Sequence, residues 1–140
     1  MMVETAAVVA MIKTVPALTS KVDVSRMPRD SSGALVKAPY VVVHPSDGVD
    51  SVERGDIRAH TRNPRFTLHV VGTSYDNCQM VTELLKAKFV VRGVGVRLSI
   101  AGRNTHPVLW SVPIPTQVDD DVQPPLIYNI VELAFKSDPT

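Results

Sequence analysis

RFTLHVVGTSYDNCQMVTELLKAKFV, running from Arg65 to Val90, is the stretch that decides the fold. Phe66, Leu68 and Val70 alternate with Thr67, His69 and Val71, the period of a half-buried strand. Thr73 or Ser74 is placed to cap a following helix, with Asp76 near its exposed backbone N–H groups. Cys78, Val81, Leu84, Leu85 and Phe89 then form an apolar stripe, while Glu83, Lys86 and Lys88 point to water. The junction VVGTSYD stands one residue from the Gly-x-Ser-x-Gly elbow that exposes a hydrolytic serine. That elbow needs glycine on both sides of its serine, and here Asp76 holds the second glycine position. No run of glycines offers an oxyanion hole, so Ser74 reads as a helix cap. A single Gly72 also lacks the glycine pattern of a dinucleotide site or a P-loop.

Upstream, VETAAVVAMIKTVPAL (Val3 to Leu18) reads as a short helix that Pro16 stops. Ala6, Val9, Ile12 and Lys13 follow its spacing, and Glu4 suits the positive N-terminal end. Val8, Met11 and Val15 add apolar area on other faces, so the helix is expected to touch more than one surface, a neighbouring subunit included. KVDV (Lys21 to Val24) is a brief strand, and MPRDSSGALVKAP (Met27 to Pro39) a loop. YVVVH (Tyr40 to His44) is a continuous β-branched run, hence a strand covered on both faces. Pro45 to Pro64 has no strand periodicity and forms a connection several times the usual length, which marks function or disorder.

Downstream, RGVG (Arg92 to Gly95) ends the helix. VRLSI (Val96 to Ile100) alternates as a strand, and another short extended piece falls at Val108 to Trp110. DDDVQPP is an acidic turn leading into LIYNIVELAF, where Ile127, Val131, Leu133 and Phe135 share one face. Residues 136–140 are read as a tail. The order helix, strands, helix, strands predicts a single α+β domain over residues 1–140: a mainly antiparallel sheet with helices packed on one face, and a long polar loop, 45–64, between two central strands.

Composition narrows the function. Fifteen Lys+Arg against fourteen Asp+Glu give a formal charge of +1 over 140 residues, without the basic excess of a nucleic-acid binder. A lone cysteine, Cys78, excludes an internal disulfide framework and a cysteine-cluster metal site. The longest apolar run, Ala6 to Ile12, is far below the roughly twenty residues that span a bilayer. Glu4 precedes it where a secretory signal carries Lys or Arg, which predicts an intracellular product. His44, His60, His69 and His106 show neither i, i+4 spacing nor a carboxylate at a metal-site interval. Asp119, Asp120 and Asp121 lack the alternating ligands and turn glycine of a calcium loop. The residues therefore predict no enzyme, no cofactor and no metal.

The long connection interleaves Asp47, Asp50, Glu53 and Asp56 with Arg54, Arg58, Arg62 and Arg65. Such a segment is either a solvated loop or one that orders on assembly, when opposite charges pair between subunits and set register.

RNTHPVLW followed by DDDVQPPLIYNIVELAF resembles the C-terminal part of tail terminator proteins of long-tailed bacteriophages. APYVVVHPSDG, the polar connection and the TSYDNCQMVTELL helix resemble their preceding parts in the same order, over Met1 to Lys136. The chain departs from that pattern at Ala34 to Pro39, which has no Gly-rich approach to the strand, and at Ile127, where an aromatic is common. The resemblance implies a virion protein of the tail and neck, assembled in the host cytoplasm as a hexameric ring. Such rings close the head-proximal end of the tail tube, halt tube polymerisation and join it to the head–tail connector. DNA passes through the ring without sequence-specific binding. A cyclic ring needs two different complementary surfaces per subunit, and near-neutral charge suits a conduit. The expected ring or tube contacts are Arg54, Asp56, Arg58 and Arg62, with Asp119, Asp120 and Asp121 as a second, acidic contact. Arg58 and Arg62 changed together to Glu are expected to leave a folded monomer that no longer caps tubes. Another neck component of the same size and fold is the alternative.

Overall fold

The structure is a computed structural model, and it describes residues 2–46, 51–52, 60–122 and 124–140. In chain order the elements are α1 (Met2–Lys13), a 3-10 turn (Pro16–Leu18), β1 (Val22–Val24), β2 (Tyr40–Ser46), β3 (Ser51–Val52), β4 (His60–Thr61), β5 (Arg65–Gly72), α2 (Tyr75–Phe89), β6 (Val90–Val91), β7 (Val94–Gly95), β8 (Arg103–Thr105), β9 (Leu109–Ser111), β10 (Gln117–Asp119), β11 (Leu126–Ala134) and β12 (Ser137–Pro139). The principal sheet runs β1-β2-β5-β11-β10, with β9 also on β11. Among the described strands of this sheet β1 on β2 is parallel; β2 on β5, β5 on β11, and β11 on β9 and β10 are antiparallel. This is the α+β architecture that the element order predicts, with both helices on one face of the sheet.

The strand-to-helix junction behaves as its residues dictate. Ser74 is the N-cap of α2 in an extended conformation, and its hydroxyl accepts from the Asn77 N–H at 3.1 Å. Gly72 is required by packing: a Cβ there would stand 2.6 Å from the Cys78 backbone. Thus α2 starts flush against the strand it has just left, and the Cys78 thiol reaches the Val70 carbonyl at 3.4 Å. Cys78, Val81, Leu85 and Phe89 are fully buried. Leu84, expected in that stripe, is exposed instead, and Thr82 takes the fifth inward place.

The core lies between this sheet face and the helices. Phe66, Leu68, Val70, Val131 and Leu133 meet Val8, Ile12, Val15, Leu85 and Phe89. Phe66 stacks on Phe135 with ring centroids 6.0 Å apart. The buried line of α1 is Glu4, Val8 and Ile12, continued by Val15; Ala6 and Lys13 face out. The phase therefore differs from the expected Ala6–Val9 stripe, because a carboxylate holds the innermost place in the first turn. Val96 to Ile100 forms no strand: Val96 is held by bonds to Phe89 and Val108, and Gly95 lies so close to the Val108 backbone that no Cβ fits. Inside the polar connection β3 pairs with β4. Residues 136–140, expected as a tail, carry β12, which pairs with β8 and bridges Arg62.

Candidate assembly surfaces

Three neighbourhoods carry polar or apolar groups beyond the needs of the core. The first anchors the returning end of the long connection. The Glu4 carboxylate is fully buried and meets the Arg62 guanidinium at 3.2 Å, with Arg103 3.8 Å away. The Ser137 hydroxyl donates to it at 3.3 Å, and Arg103 donates to both the hydroxyl and the carbonyl of Ser137. Burial pushes the Glu4 carboxyl up, but hydrogen bonds, that from Arg62 among them, outweigh this and hold it below the usual range. Alongside, Asp138 accepts from the Thr61 hydroxyl at 2.6 Å and contacts the His106 ring at 2.8 Å; these two bonds hold its carboxyl low. The N-terminal helix, the end of the connection and the C-terminal strand are thereby fastened together.

The second neighbourhood is the sheet face turned away from the helices. Tyr40, Val42 and Val71 form a small separate cluster there. His44 and His69 sit edge to face with centroids 4.8 Å apart, and His69 stacks on Tyr128 at 6.0 Å. Burial, with His44 adding to it, pushes the His69 ring below its ordinary value. Burial and the Asp119 charge push the Tyr40 phenol up. A cavity of about 400 Å³ lies over this face, walled further by Arg26, Met27 and Leu126.

The third is apolar and exposed. Leu109 is 69% exposed on β9, and Val112, Ile114 and Val118 continue the exposed apolar edge toward β10. A groove of about 570 Å³ lined by Met27, Leu35, Val36, Pro124 and Leu126 lies beyond. Val91 and Val94 project from the β6–β7 hairpin. The RGVG segment, expected only to end a helix, forms this hairpin, and its two-residue Arg92-Gly93 turn between valines is the local signal for one.

Of the expected contact residues, Arg54, Asp56 and Arg58 lie outside the described residues. Arg62 is described and is bound within its own subunit by Glu4. Its side chain is half-buried, so a change to Glu would set a second carboxylate against a buried one. The Arg58/Arg62 double change is therefore expected to damage the fold, and it does not isolate a ring contact. Asp119 ends β10, with one carboxylate oxygen accepting from the Asp121 N–H at 3.1 Å, and Asp120 and Asp121 are exposed beside it. The arginine and the acidic turn sit at opposite ends of β11, roughly 27 Å apart by strand rise. They do not form one site. Glu4, Arg103 and Ser137 were missed because nothing local in the sequence marks their partners.

Ser74 is committed to its cap, and burial pushes the Cys78 thiol up, away from a reactive thiolate. Among the described residues no three His, Cys, Asp or Glu side chains are grouped to hold a metal ion, and no helix is long and apolar enough to cross a membrane. No family model matches the chain, and no curated protein matches it. Among solved structures, a chain of the virion of a native gene transfer agent particle is similar in fold: the TM-score is 0.54 at 12% identity, over 96% of this chain and 92% of that one. At that identity the likeness establishes a shared α+β fold across nearly the full length of both chains.

Proposed function

We propose that this chain is a structural virion protein without enzymatic activity, a tail terminator of a phage-like particle. Six copies form a ring on the head-proximal end of the tail tube, stop tube polymerisation and provide the joint to the head–tail connector. The genome passes through the lumen without sequence-specific contact. The observation that carries this reading is the fold shared end to end with a chain of a gene transfer agent virion. Two features support it: the apolar surface left uncovered on one subunit, from Leu109 to Val118 and at the β6–β7 hairpin, and the rigid anchoring of the polar connection by Glu4 and Ser137. Uncovered apolar edges of this kind belong to interfaces. Arg54, Asp56 and Arg58 are proposed for tube or ring contact, Arg62 for holding the base of the same segment, and Asp119, Asp120 and Asp121 for a separate acidic contact.

The same fold likeness fits another neck component, such as a head-completion or connector protein. Electron microscopy of particles made without the protein separates the two. Loss of a terminator gives overlong or unjoined tails. Loss of a head-side protein gives isolated tails of normal length and heads that leak their DNA.

A further inference from the structure

The β6–β7 hairpin and the apolar groove beside the acidic turn have complementary chemistry and lie at opposite ends of α2. The groove borders Thr73, immediately before the cap of α2, and the hairpin begins at Val90, immediately after its last residue. Fifteen residues of helix separate them by about 22 Å. Neither can reach the other within a subunit, and each leaves apolar side chains in water. Val94 is 63% exposed and Val91 51%, while Met27, Leu35 and Val122 are exposed on the groove.

The hairpin turn itself points outward for a reason. Arg92 and Gly93 have φ values of +53° and +76°, the left-handed pair of a two-residue turn. Glycine or asparagine fills the first position at less cost, so an arginine there retains its side chain against backbone preference. The groove supplies the matching charge: Val122 on its wall is followed back along the chain by Asp121, Asp120 and Asp119. Among the described residues that line the groove, Lys37 alone is charged, and it lies with Leu35 and Val36.

We propose that the hairpin of one subunit seats in the groove of a second copy of this chain, Val91 and Val94 against Met27, Leu35 and Val122, with Arg92 set on the acidic turn. The contact is head-to-tail, so repetition closes a ring or extends a filament. Hairpin and groove are together the two unlike surfaces that the ring reading requires of each subunit, and the contact rests on that reading.

Full-length Val94→Cys/Val122→Cys protein tests it under mild copper-phenanthroline oxidation. The two cysteines of one chain are too far apart to join each other, and native Cys78 is buried. A ladder of cross-linked multimers on non-reducing gels is expected, with neither single variant giving more than a dimer. Arg92→Glu should weaken self-association at least tenfold by light scattering, and Asp121→Lys in the same chain should restore it. Normal multimers without the ladder would overturn this contact and leave the ring reading standing. A protein that stays monomeric and unlinked at every concentration would overturn both.

Discussion

Glu4, fully buried in the first turn of α1, meets Arg62 at 3.2 Å across 58 residues of sequence. A carboxylate in that place is costly unless its partners stay fixed. Arg62, Arg103 and Ser137 are among those partners, and each belongs to a different segment. The pair therefore welds the start of the chain to the end of the long connection and to the C-terminal strand.

Removing the arginine should show how much depends on it. Arg62→Ala leaves the carboxylate with Ser137 and Arg103 and should cost about 1–3 kcal/mol. Arg62→Glu should cost more, since two carboxylates then share one site, and Arg62→Lys less. Urea denaturation of the three variants gives the order. Equal midpoints for Ala and Glu would mean that the buried carboxylate does not feel this position.

Stability should fall with acid in two separable stages. His69 has its pKa depressed in the fold by burial and His44, so the folded protein binds fewer protons than the unfolded chain just below the ordinary histidine value of 6.5. Stability is then lost as pH falls through that region. Glu4 is depressed from 4.5, so its contribution is present above that value and disappears as pH falls through the lower folded pKa. Thermal melts from pH 8 to pH 3 should show both stages, and His69→Gln should abolish the upper one alone. An unchanged upper stage would assign it elsewhere.

The junction before α2 offers a graded pair. Ser74→Ala removes one cap bond and should cost about 1 kcal/mol. Gly72→Ala drives a methyl group to 2.6 Å from the Cys78 backbone and should cost more, about 1–3 kcal/mol or above. Calorimetry orders them. A serine-directed fluorophosphonate should leave Ser74 unlabelled.

The polar bridge under α2 offers another. Asn129 is almost wholly buried; its amide donates to the Thr82 hydroxyl at 2.8 Å and accepts from Thr116 at 2.6 Å. Asn129→Ala should cost about 1–3 kcal/mol by leaving both hydroxyls short of a partner. Asn129→Asp should cost more than Asn129→Ala, because it buries a carboxylate with only hydroxyl partners. An Asp variant as stable as the native protein would contradict the burial of this side chain.

Much of this fold is legible in the sequence where neighbours along the chain decide the outcome. Phe66 to Val71 alternates, Ser74 caps and Cys78 to Phe89 repeats with helical period, so β5 and α2 stand where their residues place them. Tyr40 to His44 and Leu126 to Ala134 are strands for the same reason. Reading fails where distant residues decide. Glu4 is a helix-terminal charge until Arg62 and Ser137 arrive from far along the chain. Residues 137–139 lack any strand pattern and become one only beside Arg103 to Thr105. Val96 to Ile100 alternates well, yet the close approach of Gly95 to Val108 takes its backbone out of a ladder. The assembly surfaces were legible only as excess: unspent apolar residues and interleaved charge, with no indication of which edge carried them.

A tail terminator must form its ring on a growing tube. That role is tested most directly by adding the purified protein to its cognate tube subunit during assembly and imaging the products by negative-stain electron microscopy. Tubes should stop growing, each bearing a six-fold ring at one end. Tubes of unaltered length with bare ends would contradict that role.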